Sequence, residues 1–231
     1  MGQRRAVRVL RTGLDALIAA SLAPSCAACH APLDCPSAGC ICSGCWAAVV
    51  PTPTLPWVSA DITVGLAVGR YDGALRDIIH VFKYEGRRSL AAPLGALMRE
   101  TARSVLDDAD CVVPVPLHPW RRIRRGFNQA RDLARQLDRP IVDALWRVRA
   151  TPPQMSLDAL ARRTNLRNAF VLSPLLGNER CGAGLDGRPV RGRAIVLIDD
   201  VRTTGSTLNA CAKVLVDAGA REVRALTIAV A

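Results

Sequence analysis

The sequence predicts an α/β fold in which helices flank a parallel sheet and a small cysteine-rich module precedes that sheet. Three observations predict it. From residue 57 onward, strand-like apolar segments alternate with amphipathic helix-like segments, an order typical of parallel sheets. Residues 194–199 (AIVLID) form a continuous apolar run, as expected of a strand buried on both faces. Six of the nine cysteines lie within residues 26–45, which sets this segment apart from the rest.

The composition is that of an ordinary globular protein. The 231 residues are 50% hydrophobic and 22% charged, which excludes a mainly disordered chain and allows one sizeable core with a small appendage. No apolar run of about 20 residues lacks charges, so no membrane span is expected. The net charge of +11 favours polyanionic partners, either phosphorylated metabolites or nucleic acid.

The cysteine cluster contains two C-x2-C pairs, which are Cys26 with Cys29 and Cys42 with Cys45. Each pair places two thiolates on one tight turn, and two such turns supply the four tetrahedral sulfurs of a structural zinc site. The alternative is a pair of disulfides in a secreted protein, which the cytosolic character of the rest of the chain disfavours. Cys35 and Cys40 are surplus, and the sequence leaves them as alternative ligands or free thiols.

The first 25 residues share some features with an export signal. Four arginines precede an apolar run at residues 14–23: Arg4, Arg5, Arg8 and Arg11. Asp15 interrupts that run, however, and its apolar residues follow the spacing of an amphipathic helix. Thiolate metal ligands also suit a reducing compartment, so a cytoplasmic protein is predicted.

Residues 51–56 (PTPTLP) predict a stiff linker between two domains. The first domain is an N-terminal helix and zinc module at 1–50, and the second is the sheet domain at 57–231. Within the second, a strand is expected in residues 61–71. A helix then starts at Asp72, with Leu75, Ile78, Ile79 and Phe82 on one face, and a second helix runs from about Leu90 to Leu106.

The alternation continues along the chain. Residues 111–117 are expected as a strand, 120–126 (WRRIRRG) as an Arg-rich loop, 128–137 as a helix, 140–148 as a strand, 156–168 as a basic helix and 177–192 as a Gly-rich loop. After the buried strand at 194–199, a helix from about Ser206 to Ala218 ends at Gly219. Residues 221–230 form the predicted closing strand.

The most informative segment is residues 196–208 (VLIDDVRTTGSTL), in which two acids and a short polar turn join a buried strand to a helix. The turn falls at the carboxyl end of a parallel strand, where open α/β sheets bind ligands. Backbone N–H groups, hydroxyls and the helix dipole suit a phosphate monoester there. The turn consists of Thr203, Thr204, Gly205, Ser206 and Thr207. The carboxylates of Asp199 and Asp200 can hold sugar hydroxyls or Mg²⁺.

This segment closely resembles the phosphoribosyl pyrophosphate (PRPP) motif of type I phosphoribosyltransferases, in which hydrophobic residues precede two acids and T-T-G-x-T. Residues 82–91, 112–134 and 151–170 and the cysteine module resemble the successive blocks of the ComF/GntX family. The resemblance implies a type I phosphoribosyltransferase-like sheet behind an N-terminal four-cysteine zinc module. The chain departs from the family pattern in a longer Gly-rich stretch at 179–189 and in the extra cysteines at 35 and 40.

The resemblance also implies roles for particular residues. Asp199 and Asp200, the predicted catalytic pair, would bind ribose hydroxyls and Mg²⁺, and residues 203–207 would hold the 5′-phosphate. Two basic groups are candidates for the pyrophosphate or for a lid over it. One is Lys83 with Arg87 and Arg88, and the other is Arg121, Arg122, Arg124 and Arg125 before residues 126–129. A solvated charged face is the competing interpretation of these arginines. Gln154, Arg162 and Asn165 match the third family block without an assigned role.

For an enzyme, the implied reaction is displacement of pyrophosphate from C1 of PRPP by a base-like acceptor, in nucleotide salvage or in the DNA uptake with which the family is associated. The alternative is a non-catalytic single-stranded DNA adaptor of competence, in which Trp120 and Phe127 would stack on bases between basic residues. Ordinary packing is the competing interpretation of both aromatic residues. A third possibility is a PRPP-sensing regulator. His80 is expected to be structural, and His118 is a weaker candidate for the site.

Overall fold

The structure is a computed structural model that describes residues 23–33, 35–51, 55–148, 169–174 and 190–231, together with residues 12, 15 and 18. Contacts between residues divide the chain into two compact units. The first consists of Met1–Val50 with Asp72–Leu90, and the second of Pro51–Tyr71 with Ala91–Ala231. Within the described ranges, no helix is long and apolar enough to cross a membrane.

The first unit contains the cysteine module and one long helix. Helix α1 covers Ser43–Ala47 and helix α2 covers Gly73–Tyr84. Single 3-10 turns cover Pro36–Ala38 and Arg88–Leu90. The predicted helix after Asp72 is confirmed, because the four apolar residues expected on one face are all buried: Leu75, Ile78, Ile79 and Phe82.

The second unit is built on a four-stranded parallel sheet. Its strands are β1 (Val64–Arg70), β2 (Cys111–Pro114), β5 (Ala194–Arg202) and β6 (Glu222–Val230), in the order β1–β6–β5–β2. Two short strands, β3 (Leu145–Arg147) and β4 (Phe170–Leu172), pair with each other in antiparallel fashion. The helices are α3 (Ala91–Thr101), α4 (Arg103–Leu106), α5 (Pro119–Arg125), α6 (Gln129–Ala134) and α7 (Ser206–Asp217). The predicted parallel sheet with flanking helices is confirmed.

The core of the second unit includes one face of the sheet and helix α7. Ile195 and Leu197 on β5 belong to the same buried cluster as Leu208, Cys211 and Leu215 on α7. Alternate residues of a strand share one face, so this cluster fixes which side of β5 the helix covers. Because α7 begins four residues after β5 ends, the packing also fixes the turn between them.

Strand β5 extends further than its neighbour β2. Pairing with β2 ends at Pro114, opposite Ile198, whereas pairing with β6 continues to Arg202, opposite Val230. The sequence predicts that β5 ends at residue 199, and the additional residues follow from the length of β6. The acid pair therefore lies beyond the last residue that pairs with β2.

One predicted loop is wrong. Residues 120–125 belong to helix α5, which starts with Pro119 at its first position and is followed by Gly126 in the left-handed conformation, with a φ of 77°. His118 Nδ1 accepts a hydrogen bond from the Trp120 backbone N–H at 3.3 Å. Proline at a helix start and glycine after its end are strong boundary signals, and arginine is a good helix former. The Arg-rich segment is therefore a capped helix.

Other boundaries differ from the predicted ones. The helix expected to reach Leu106 is divided at Ala102, the helix expected at 128–137 is shorter, and the strand expected at 140–148 is reduced to a bridge at Ile141 and strand β3. Strand β4 is not predicted, because its partner β3 is distant in sequence and strand formation depends on such pairing. The predicted helix at 156–168 and most of the predicted loop at 177–192 lie outside the described residues.

Candidate functional site

The two acids at the end of β5 have locally fixed carboxylates. Oδ1 of Asp199 accepts a hydrogen bond from the backbone N–H of Asp200 at 2.9 Å, and Oδ1 of Asp200 accepts one from the N–H of Val201 at 2.6 Å. Both residues are half-buried. Carboxylate oxygens are the hard ligands that Mg²⁺ requires, so the residues at this strand end fit the expected magnesium chemistry.

The carboxylate of Asp199 affects the ionisation of Cys211, a buried residue on α7. Burial raises the pKa of the Cys211 thiol well above its usual value, the carboxylate of Asp199 raises it further, and Arg147 lowers it. Arg147 lies on β3, is 7% exposed, and places its guanidinium 5.3 Å from the ring centre of Phe170. Sequence reasoning does not identify Arg147, because a single arginine in a three-residue strand carries no local signal.

A polar turn joins β5 to α7. Gly205 caps the helix with a φ of 74°, in the left-handed region, and its carbonyl accepts the N–H of Asn209 at 2.9 Å. Thr204 Oγ1 lies 2.7 Å from Ser206 Oγ and accepts the Ser206 N–H at 3.4 Å. The side chains of Thr203 and Thr204 are exposed. Hydroxyls and the N–H groups of a helix N-terminus are thus presented together, as in known phosphate sites.

Arg202 lies inside the motif and is also not identified from the sequence. Its guanidinium lies 4.7 Å from the ring centre of Trp57. The stem of Arg202 lies beside Gly205, with Cδ 3.8 Å from the position that a glycine β-carbon would take. Burial lowers the pKa of Arg202. No sequence pattern connects residues 57 and 202, so only the structure reveals this contact.

The predicted pyrophosphate candidates fall into different units. Lys83 lies on α2 in the first unit, as do Arg87 and Arg88 in the turn that follows. Arg122 and Arg125 lie on α5 in the second unit, whereas the side chains of Arg121 and Arg124 are outside the described part of the chain. Because β2 and β5 are parallel neighbours, α5 follows β2 at the sheet edge that carries the acids. The chain from Pro114, at the end of β2, to Pro119, at the start of α5, can span at most about 18 Å.

The aromatic residues proposed for base stacking differ in exposure. Trp120 is 75% exposed, on helix α5, whereas Phe127 is only 6% exposed. The structure therefore does not support base stacking by Phe127. It supports the competing interpretation, in which Phe127 packs in the interior. His118 caps α5, and His80 lies 4.7 Å from the ring of Tyr84 on α2. The third family block, with Gln154, Arg162 and Asn165, lies outside the described residues.

The four predicted metal ligands converge in the first unit. The sulfurs of Cys26, Cys29, Cys42 and Cys45 all lie within 4.8 Å of one another. The Cys26–Cys45 and Cys29–Cys42 sulfurs are 3.9 and 3.7 Å apart. Sulfurs bound to tetrahedral zinc at about 2.3 Å would lie about 3.8 Å apart. The cluster could therefore hold a metal such as zinc.

The thiols of this cluster do not ionise alike. Burial opposes ionisation of Cys26, but hydrogen bonds from the backbone N–H groups of Cys29, Cys42 and Ala28 prevail and lower its pKa to about 6. Burial raises the pKa of Cys45, and contacts with the neighbouring cysteine sulfurs raise it further. Adjacent thiolates repel one another without a cation, so metal binding at this cluster would release protons.

Known proteins resemble this chain in sequence, and solved structures align with part of it. A family model described as the phosphoribosyl transferase domain matches residues 123–230. The chain is 36% identical over 167 residues to Competence protein F of Haemophilus influenzae, which covers 68% of each chain. It is also 36% identical over 171 residues to the DNA utilization protein YhgH of Escherichia coli K12, covering 69% of this chain and 68% of the relative. The solved structure of orotate phosphoribosyltransferase from Aeropyrum pernix aligns with a TM-score of 0.34 and 18% identity, over 75% of this chain and 72% of its own.

The residues that match the phosphoribosyltransferase model include the strand, turn and helix at 194–217. Identity of 36% over two thirds of both chains is far above the level at which unrelated proteins merely share a fold. The chain therefore belongs to the competence protein F (ComF) family and contains a phosphoribosyltransferase domain.

Proposed function

We propose that this protein binds PRPP with Mg²⁺ and transfers the phosphoribosyl group to a base-like acceptor, in DNA uptake or nucleotide salvage. One observation carries the proposal: the half-buried acid pair on β5 leads directly into a turn that presents hydroxyls and N–H groups at the start of α7. Relatives named for competence and DNA utilization support the biological setting. A reducing compartment such as the cytoplasm is part of the proposal, because the four thiols of the cysteine module suit one.

In the proposed reaction, the bond between C1 of the ribose and the pyrophosphate oxygen breaks, and C1 bonds to the acceptor. Residues 203–207 would hold the 5′-phosphate, and Asp199 and Asp200 would orient the ribose hydroxyls and hold Mg²⁺. The metal would neutralise charge on the departing pyrophosphate. The rate enhancement would come from positioning and from electrostatic stabilisation of the leaving group by Arg side chains, for which Arg122 and Arg125 on α5 are the described candidates within the second unit. Lys83, in the first unit, stays a prediction from the sequence.

Calorimetric titration of PRPP, with and without Mg²⁺, tests the proposal. The variant Asp199→Asn/Asp200→Asn removes two carboxylate charges from the motif with little change in size. A matched control is Asp107→Asn/Asp108→Asn, which removes the same charge between α4 and β2, at the amino edge of the sheet. We expect Mg²⁺-dependent binding by the wild type and the control and none by the motif variant. Absence of PRPP binding by a folded wild-type protein would refute the proposal.

Turnover is tested separately from binding. The zinc-loaded protein is incubated with Mg²⁺, PRPP and each nucleobase in turn, and pyrophosphate release is measured. Release that depends on one base and is absent from the motif variant supports transfer. Saturable binding without release for any base would instead support a PRPP sensor.

We also propose that the cysteine module binds one structural zinc ion and works as a domain at 1–50 separate from the phosphoribosyltransferase-like domain at 57–231. The sulfur separations near 3.8 Å support the choice of metal. Thiolate sites of this kind stabilise modules too small for a core of their own.

A second function is supported by the exposure of Trp120 on the basic helix α5. A single-stranded DNA adaptor could combine this indole with the neighbouring arginines, because base stacking and phosphate contacts together give sequence-tolerant binding. Fluorescence titration with a labelled oligonucleotide tests it. We expect Trp120→Ala to weaken binding about tenfold or more and Trp146→Ala, at a 40% exposed tryptophan on β3, to leave it unchanged. Equal affinities for wild type and Trp120→Ala would rule out this role of α5.

A further inference from the structure

Arg202 lies in the sequence between the acid pair, Asp199 and Asp200, and the turn at 203–207. Within residues 199–207, Asp199, Asp200 and Arg202 are the charged residues, so Arg202 is the single cation of the motif. Its stem lies against the start of α7, with Cγ and Cδ 3.9 and 3.8 Å from the place of a β-carbon on Gly205. Its backbone carbonyl accepts a hydrogen bond from Ala231 at 2.9 Å, which ties the end of β5 to the residue after β6.

Trp57 gives the guanidinium of Arg202 a fixed platform. Two backbone hydrogen bonds join Trp57 to Gly65 on β1, with Trp57 donating at 3.0 Å and Gly65 donating at 2.7 Å. A β-carbon at Gly65 would overlap the indole ring, so the ring can pack there only because residue 65 has no side chain. Trp57 also packs against the core between the sheet and α7. The indole is thus anchored independently of Arg202, whose guanidinium lies 4.7 Å from the ring centre.

Both side chains of this pair are half-buried. Arg202 Nε and Trp57 Nε1 are buried and have no hydrogen-bond partner within the part of the chain that the structure describes. Solvent screens a half-buried charge less than an exposed one. The neutral turn at 203–207 therefore has one cation beside it, the guanidinium of Arg202. This positive charge opposes the negative charges of Asp199 and Asp200, which would repel a phosphate.

We infer that Arg202, held on Trp57, is a positioning residue for the phosphate turn. Its stem supports Gly205 at the start of α7, and its charge offsets the repulsion between the acid pair and a bound 5′-phosphate. Trp57 acts through Arg202, because stacking on the indole keeps the guanidinium beside the turn. This inference rests on the proposed PRPP site and names residues that the motif comparison leaves without a role.

The test compares three ligands that divide PRPP into its parts: PRPP, ribose 5-phosphate and pyrophosphate, each titrated calorimetrically in Mg²⁺. Arg202→Met keeps the stem and removes the charge, and Trp57→Leu removes the aromatic platform. We expect Arg202→Met to weaken the binding of PRPP and of ribose 5-phosphate alike, by about tenfold, and to leave the binding of pyrophosphate unchanged. Arg221→Met is the matched control, because Arg221 is 60% exposed and lies before β6 at the opposite edge of the sheet.

The double variant shows whether Trp57 acts through Arg202. Trp57→Leu is expected to weaken the binding of ribose 5-phosphate when Arg202 is present. In a protein that already carries Arg202→Met, it is expected to cause no further loss of affinity. Conservative changes give a second measurement: Trp57→Phe retains most of the affinity, and Arg202→Lys retains part of it. If Trp57→Leu fails to fold, as judged by thermal unfolding, Trp57→Phe and Arg202→Met still decide the matter.

The possible failures are distinguishable. If the wild type binds neither PRPP nor ribose 5-phosphate, the proposed function fails, and the role of Arg202 fails with it. If the wild type binds both and Arg202→Met binds ribose 5-phosphate equally well, the inference is overturned while the PRPP site stands. An equal loss of all three ligands would mean a general electrostatic effect and would also overturn it.

Discussion

Gly205 occupies a backbone conformation that other residues adopt at a cost. Its φ of 74° places it in the left-handed region, and a β-carbon there would make only ordinary contact with Arg202, at 3.8 Å. The cost of Gly205→Ala is therefore conformational, about 1–2 kcal/mol. Gly192, with a φ of 75° and nothing within 4 Å of a β-carbon, provides the same strain away from the motif.

We expect Gly205→Ala and Gly192→Ala to lower the free energy of unfolding similarly in urea titrations. Only Gly205→Ala should also weaken PRPP binding, because it alters the turn that would hold the phosphate. Equal PRPP affinities for the two variants would show that the left-handed glycine serves folding alone.

Glu222 at the start of β6 makes stability depend on pH. Its carboxylate accepts hydrogen bonds from Arg224 Nε and Nη2, both at 2.9 Å, and from Thr63 Oγ1 at 2.8 Å. The bond from Arg224 lowers the pKa of Glu222 against the opposing effect of burial. A carboxyl with a lowered pKa stabilises the fold above its unfolded pKa of about 4.3 and loses that contribution as pH falls through the folded value.

Glu222→Gln is accordingly expected to lower the free energy of unfolding by about 1–2 kcal/mol at pH 7. The difference from wild type should shrink as pH falls below the unfolded pKa of about 4.3, because the wild-type carboxyl becomes protonated as pH falls through its lowered folded value. Urea titrations at pH 7 and pH 3 measure it, with the exposed Glu100→Gln as control. A difference of the same size at both pH values would contradict the ionic origin.

At the scale of elements, the cysteine module depends on two turns brought together. The N–H of Cys42 donates to Cys26 Sγ at 3.3 Å, and the N–H of Cys45 donates to Cys42 Sγ at 3.4 Å. The first bond links the two C-x2-C pairs, and the second lies within the second pair. Cys35 and Cys40 are not members of the cluster that the described residues form, which leaves them outside the proposed ligand set.

Cys42→Ser is expected to reduce bound zinc from about one equivalent per chain to almost none, because three thiolates hold zinc far less tightly than four. Cys35→Ser, a matched change at an exposed cysteine, should keep the metal. Elemental analysis of the purified proteins measures both. Loss of zinc in Cys35→Ser would show that the ligand set has been misassigned.

At the scale of the whole molecule, a net charge of +11 attracts any polyanion. Specific PRPP binding must therefore be separated from general attraction. A ligand at 100 times its Kd stabilises a protein by about 2.7 kcal/mol, which raises the melting temperature of a protein of this size by roughly 5–10 °C.

We expect that rise with PRPP and Mg²⁺ and not when Mg²⁺ is omitted, a comparison that avoids chelators and so leaves zinc in place. Asp199→Asn/Asp200→Asn should show no rise. A similar shift with tripolyphosphate, or in the variant, would indicate binding to the basic surface rather than to the motif.

The sequence predicts the fold class and the converging cysteines because their signals are local. A buried apolar run, an acid pair and a glycine-containing turn occupy consecutive positions at 194–207, and two C-x2-C pairs define their own turns. The ligand roles of these residues remain predictions. Helix α5 also has local boundary signals in Pro119 and Gly126, and these signals outweigh the loop-like polarity of the arginines between them.

Only the tertiary structure determined which residues far apart in the chain are in contact. Trp57, which pairs with β1, contacts Arg202 on β5 although β6 lies between these two strands in the sheet. Phe127 is buried while Trp120 is exposed, although both are aromatic residues in one basic segment. The sequence by itself determined the α/β class and the four cysteines, because periodicity and spacing repeat over a few residues, and its contiguous motifs carried the resemblance to the family. Sheet order and side-chain burial are set by packing over the whole chain, and no local pattern contains them.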